Sequence, residues 1–363
     1  MRDVPLNKRL PYLHAIRDVG AERVLLAKDD AHHERAGLAT FAVDGKNRLL
    51  DGKRQVGRIA NVSDAKTQAK AATAPGVIVV DEGPDRIIPL ENLIAARQDR
   101  PGTLFARTRS ARDAALCAVV LERGVHGIVL VPSSPQEVLA TDLLLREARA
   151  SQAPTPAPQP REREPSPASP ASAPAPQGSP TLTSGLAAAR ISKVDDGGVG
   201  DRVCVDTTSL LQEGEGLLVG STARSFALVH AETATNGLIA ARPFRVNAGA
   251  VHSYLLGPDG TTRYLSELAA GQTVLAVHRN GTSRQVTVGR VKIERRPHLI
   301  VHWDTPGGPA SVALQNAETV CLVRPDGTTL PVTRVQPGDA ILVQAGAPAR
   351  HAGIAVDENV EER

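Results

Sequence analysis

From 151 to 180 the chain reads SQAPTPAPQPREREPSPASPASAPAPQGSP. Proline at this density denies the backbone both helical and ladder hydrogen bonds. The apolar side chains are too small and too few to offset the entropy of ordering. This stretch constrains every other assignment, because it can belong to no packed element. It divides the chain into residues 1–150 and 183–363, with 151–182 as a disordered Pro/Ala/Ser-rich spacer.

Before the spacer, helix-like and strand-like segments alternate. LNKRLPYLHAIRDVG reads as an amphipathic helix stopped by Gly20, and AERVLLA and AGLATFAVD as strands. DAKTQAKAATA is helical and ends at Gly76, and GVIVVDE is a buried, β-branched strand. A helix beginning at ENLIAARQ, the strand GTLFART, a Ser-capped helix at SARDAALCAVVLERG, the strand VHGIVLVP and the helix SPQEVLATDLLLREARA follow. Such alternation predicts a mainly parallel sheet, in the form of a partial or distorted β/α barrel. The chain opens on a helix, so an edge strand of that sheet is expected to be missing.

After the spacer, short alternating strands with glycine turns predict a β-rich domain, a barrel or sandwich of repeated hairpin modules. LQEGEGLLV (211–219), LAAGQTVLA (268–276) and VQPGDAILV (335–343) share one pattern, and PDGTT precedes the last two. Asp-Gly supplies the positive φ that a tight hairpin needs. GSTARSFALVHAE (220–232) aligns with GAPARHAGIAVDE (346–358), matching Arg224 with Arg350 and Glu232 with Glu358.

Composition narrows the function. Hydrophobic residues make up 41% but aromatics only 2%, so the cores must be aliphatic. The same scarcity argues against RNA recognition by stacking, and a net charge of +3 is too small for a nucleic-acid surface. No apolar run can span a bilayer, and the N-terminus carries no secretory signal, so a cytoplasmic protein without membrane or nucleic-acid partners is expected. Cys117, Cys204 and Cys321 form no CxxC pair and read as small buried hydrophobes. Neither a G-x-G-x-x-G turn nor a P-loop is present.

The candidate chemistry lies mainly in the β-rich half. His230 and Glu232 alternate on one strand and so share a face, as a pair of metal ligands would. RPFRVNAGAVHSY (242–254) follows closely. Arg242 and Arg245 suit a carboxylate or phosphate, Asn247 is a further substrate-binding candidate, and His252 could be a third ligand or a base. Glu215, in the turn EGEG, is a further metal candidate. Arg350 and His351 are candidate anion contacts. The basic strand RVKIERRP (290–297) reads as a solvated face. In the α/β half, Pro89 is expected to break the chain after an apolar strand segment. Glu91 then falls near the first turn of a helix, where a carboxylate also serves as a cap. Lys28, Asp81 and Glu82 lie at strand ends, where α/β folds bind ligands.

Together, GDRVCVDTTSLLQEGEGLLVGS, FALVHAET, ARPFRVNAGAVHSYLL, TRYLSELAAGQTVL, GRVKIERRPHLIV and IIPLENLIAA resemble the type II, or archaeal-type, 3-dehydroquinate synthase family. The resemblance implies an enzyme that cyclises an amino-heptulosonate, a small amino-sugar acid. Two branches are implied. One is 3-amino-4-hydroxybenzoate synthase, which uses a divalent metal, typically Mn2+. The other is NAD-dependent 3-dehydroquinate synthase, which combines oxidative deamination with cyclisation. The Ala/Arg/Pro-rich, aromatic-poor composition favours the first. On that reading His230, Glu232, His252 and Glu215 hold the ion, and Arg242 and Arg245 hold the substrate's acid group. Lys28, Glu91 and His252 move protons in a cleft between the halves. A non-catalytic metabolite-binding module is the competing reading, and exposed strand edges make a homodimer conceivable. The chain departs from the family pattern in its spacer, its missing first strand, and Thr207-Thr208-Ser209 where a second Cys is expected.

Overall fold

A computed structural model describes residues 9–21, 23–27, 39–81, 87–98, 100–121, 123–151, 182–183, 185–222, 225–234, 239–306, 308–345, 349–351 and 354–356. Lys28, Glu82, Arg224, Glu358 and all but the ends of the expected spacer lie outside the described residues.

The α/β half runs α1 (Arg9–Asp18), β1 (Arg23–Ala27), β2 (Ala39–Val43), β3 (Arg48–Asp51), β4 (Arg54–Ala60), α2 (Ala65–Thr73), β5 (Val77–Val80), α3 (Ile87–Ala96), β6 (Leu104–Thr108), α4 (Ala111–Val119), β7 (Gly127–Leu130) and α5 (Pro135–Ser151). Its strands lie side by side in chain order, from β1 to β7. β1–β2 and β4 to β7 pair in parallel, whereas β2–β3–β4 is an antiparallel meander turning at Gly52 (φ 60). The sheet is therefore mixed and nearly barrel-like. The meander went unread because RLLD and RQVGRIA are too polar to announce strands.

Alternation along β5 separates two layers. Val79 packs with Val43, Leu49 and Ile59 inside the curve of the sheet. Ile78 and Val80 pack outward against Ala71, Leu90 and Leu93 of the helices. Local chemistry starts those helices: Asp64 and Thr67 form a capping box on α2, and Ser110 caps α4.

α3 differs from expectation. Pro89 does not end a strand. It stands inside the first turn of the helix, where a missing N–H costs nothing. Glu91 lies a turn further in and is not the cap. The free N–H groups of Ile87 and Ile88 donate instead to the carboxylate of Glu318, at 2.9 and 3.0 Å, from the other half of the chain.

The β-rich half contains β8 (Leu182–Thr183), β9 (Leu186–Thr207), β10 (Glu215–Gly220), β11 (Ser225–His230), β12 (Arg245–Ala250), β13 (Tyr254–Leu256), β14 (Thr262–Tyr264), β15 (Thr273–His278), β16 (Thr282–Thr305), β17 (Gly308–Gln315), β18 (Cys321–Val323), β19 (Thr329–Pro331), β20 (Ala340–Ala345), β21 (Ala349–His351) and β22 (Ile354–Val356). Its axis is the antiparallel ribbon of β9, 22 residues long, with β16, 24 residues long. At about 3.3 Å per residue, β9 alone extends roughly 70 Å. Pairing runs from β10 through β15, β16, β9, β20 and β11 back to β10, which closes a circuit. β12 and β17 flank the outer parts of the ribbon. Both PDGTT turns close hairpins, β13–β14 and β18–β19, each followed by a short 3-10 turn. The core is aliphatic, and the chain's one tryptophan, Trp303, is fully buried in it. One apolar cluster runs through both halves, from Leu90 and Leu93 to Val246 and Leu314.

The Glu318 cap yields a test. Glu318→Ala leaves two buried N–H groups without an acceptor, a loss of about 2 kcal/mol. Its denaturant midpoint is expected to fall well below that of Glu318→Gln, which keeps one acceptor. Equal midpoints for Ala, Gln and the parent chain would show that the cap contributes nothing.

Candidate active site

Three neighbouring strands carry the polar residues. On β9, Val203 and Val205 point into the core, so Arg202, Cys204 and Asp206 share the opposite face. Register sets Arg245 of β12 and Arg290 of β16 on either side of Asp206. It likewise flanks Cys204 with Asn247 and Lys292, and puts Glu294 opposite Arg202. These are cross-strand pairs of opposite charge. Asp206 takes two bonds from Arg245, at 2.7 and 2.8 Å, and further bonds from Arg290, at 2.9 and 2.5 Å. These arginines hold its carboxyl below the usual range against the opposing effect of burial, the largest single influence. Arg202 donates to Glu294 at 2.7 Å and contacts the Cys204 thiol. Burial pushes that thiol up, so it is a neutral acceptor rather than a nucleophile.

The ladder continues to the other half of the chain. Arg296 lies 3.1 Å from Glu294 and 3.5 Å from Glu91 of α3. Gln315, at the end of β17, donates to Glu91 at 3.4 Å and accepts from Asn247 at 2.8 Å. Asn247, Gln315 and Glu91 thus form a relay across the junction, and the buried Oδ1 of Asn247 has no hydrogen-bond partner among the described residues. Burial raises the Glu91 carboxyl, opposed by Arg296 and Arg202. A carboxyl so raised holds its proton more readily than a free one, as a group that exchanges protons needs. Beside it opens a cleft of about 490 Å3, with Leu121 on the α/β side and Asp201 and Ile293–Arg296 on the other. Leu121 holds a left-handed φ of 55°, a strained conformation for a leucine.

The other proposed residues separate. Glu232 is bound by Arg242 at 2.5 Å, beyond the end of β11. Burial raises its carboxyl, against the charges of Arg242, Arg245 and Arg202. Glu215 is buried and clamped by Arg284, with two bonds of 2.8 Å. The Nε2 of His230 accepts the Gly214 N–H at 3.0 Å. A neutral imidazole has one acceptor nitrogen, so that bond uses the lone pair a metal would need. His252 is exposed in the turn after β12. No three His, Cys, Asp or Glu gather as a metal site among the described residues. His230, Glu232, Glu215 and His252 therefore do not form the expected Mn2+ site: each acid is matched to an arginine. The N-termini of α2, α3 and α4 are filled by Asp64, Glu318 and Ser110, so a dinucleotide's pyrophosphate would be held elsewhere than at these three.

Arg350 and His351 lie on β21, with side chains outside the described residues. Asp81 is paired with Arg107 at 2.8 Å. The expectation for RVKIERRP is overturned, since Arg290, Glu294 and Arg296 are members of the site. Arg202, Cys204, Asp206 and Gln315 were missed. The available signal was Arg and Asp at alternate positions within the apolar run RVCVD.

His298, at 3% exposure, makes a test of its own. Burial lowers its pKa from 6.5 to about 4. Between these values the unfolded chain binds the extra proton, so stability is intact above pH 6.5 and is lost as pH falls towards 4. The loss is on the order of 3 kcal/mol. His298→Asn is expected to flatten this acid limb of the melting temperature against pH. An unchanged limb would refute the assignment.

Comparison with known proteins agrees with this architecture. Residues 2–145 match the 3-dehydroquinate synthase II N-terminal domain, and residues 188–363 match its C-terminal domain. A 3-dehydroquinate synthase of Methanospirillum hungatei is 40% identical over 362 residues, 99% of this chain and 97% of its own. One from Methanoregula boonei is 38% identical, covering 95% and 93%. A 3-dehydroquinate synthase homolog of Persephonella marina is 35% identical over the same shares. No solved structure matches, and no described helix is long and apolar enough to cross a membrane. Matched along both halves, with the spacer between them, the chain belongs to the 3-dehydroquinate synthase II family.

Proposed function

We propose that this chain is a 3-dehydroquinate synthase, acting on an amino-dideoxy-heptulosonate by oxidative deamination and ring closure. The observation that carries the reading is the junction: Glu91, from one half, meets Arg296 and Gln315, from the other, beside an open cleft. The names of the similar proteins favour this branch. The aminohydroxybenzoate reading, which rested on composition, gives way to it.

Arg295 and Arg296, which line the cleft, supply its positive charge for the substrate carboxylate. Arg242 and Arg245, expected to do this, are instead spent on Glu232 and Asp206. In this proposal they brace the site rather than touch substrate. Asn247 orients Gln315, and Gln315 orients Glu91. Ring closure needs a proton taken from carbon and one given to the new alkoxide. Glu91, whose carboxyl burial raises, serves that exchange. The resemblance assigns the hydride of the oxidative step to NAD, in the cytoplasm, with the amino-sugar acid as the only other partner.

Glu91→Gln keeps the bond to Gln315 and removes the proton. Turnover of the amino-dideoxy-heptulosonate with NAD, followed as NADH and 3-dehydroquinate, is expected to fall roughly 10²–10⁴-fold in kcat with KM little changed. Arg296→Met is expected to raise KM instead. Full kcat in Glu91→Gln would remove Glu91 from the mechanism, and an aromatic amine formed without NAD would restore the other branch.

A further inference from the structure

A second pocket lies at the opposite end of α3. Its volume is about 170 Å3, and it is lined by Ile94 and Arg97 of α3, by Arg100, by Leu104 at the start of β6, and by Arg123 and His126 before β7. The parallel strands begin here. Arg97 follows Glu91 by six residues, about 9 Å along a helix, and Arg123 follows Leu121 of the cleft by two.

Its chemistry is one-sided. Arg97 is 6% exposed, and its guanidinium meets backbone carbonyls alone: Ala71 at 3.1 Å, Ala74 at 2.7 Å, and Gly76 and Pro101 at 3.4 Å. Its Nε is buried without a partner among the described residues. A buried cation ordinarily has an anion beside it. Arg100 and Arg123 are exposed at the rim and make no ion pair among the described residues. Nδ1 of His126 accepts the N–H of Leu104 at 3.1 Å, so Nε2 carries the proton of the neutral ring and is a donor. No described carboxylate lines the pocket, and the acidic neighbours in sequence, Asp99 and Glu122, lie outside the described residues.

We propose that this pocket binds a tetrahedral oxyanion of the phosphate class, held by Arg97, Arg100, Arg123 and His126. Guanidinium forks and an imidazole N–H suit phosphate oxygens. The anion would compensate the buried charge of Arg97 and brace the C-terminal end of α3, whose other end Glu318 holds. Free phosphate and a phosphomonoester present the same group.

The test is titration calorimetry of the full chain at fixed ionic strength, with inorganic phosphate and, separately, ribose 5-phosphate. Saturable binding is expected for the parent chain, weakened at least about tenfold in R100A/R123A, whose exposed positions leave the fold intact. Tighter binding of ribose 5-phosphate would support the site and make the ligand a phosphomonoester. Equal binding would support it with free phosphate as the ligand. No saturable binding of either probe, or undiminished binding in R100A/R123A, overturns the proposal.

Discussion

The pairing of β9 with β16 is the constraint on which the rest depends. Two strands of more than twenty residues hold register across most of their length, and every strand of the site is hydrogen-bonded to one or the other. Side-chain identity at the site is thereby reduced to parity along a ribbon. The odd residues at Val203 and Val205 build the core, and the even ones at Arg202, Cys204 and Asp206 build the polar face. Such a face is costly to assemble, because each buried charge must meet its partner at hydrogen-bond distance. The arginines flanking Asp206 meet that requirement through register alone.

Much of the architecture was legible because it rests on local signals. Gly20 and Gly76 end helices, Ser110 and Asp64 begin them, and Asp-Gly turns close hairpins at 259–260 and 326–327. What failed was non-local. Pro89 looks like a breaker to anyone who cannot see Glu318 supplying the first turn of α3 from more than two hundred residues away. β2 was read as a strand, but its partners β3 and β4 stayed hidden because RLLD is short and charged at both ends and RQVGRIA mixes arginines with its apolar residues.

The site was half legible for the same reason. Glu91 and Asn247 were found, and they do meet, but through Gln315, which no motif marks. The His230–Glu232 pair has the spacing of a metal site, yet spacing fixes only a shared side of a strand. What each group faces is decided by Gly214 and Arg242, which arrive from other strands. Electrostatic context separated the candidates that periodicity had grouped.

The register shifts in the ribbon carry a consequence for how such a chain can change. At Val288/Arg290 the ladder slips, and the core-facing parity of β16 passes from even residues, Val286 and Val288, to odd ones, Val291, Val301 and Trp303. The bulge works as a phase marker. A single-residue insertion or deletion on one side of it would turn a row of arginines into the core and a row of valines into the cleft. A pair of residues gained or lost preserves the phase. Length variation in β9 and β16 is therefore quantised in twos.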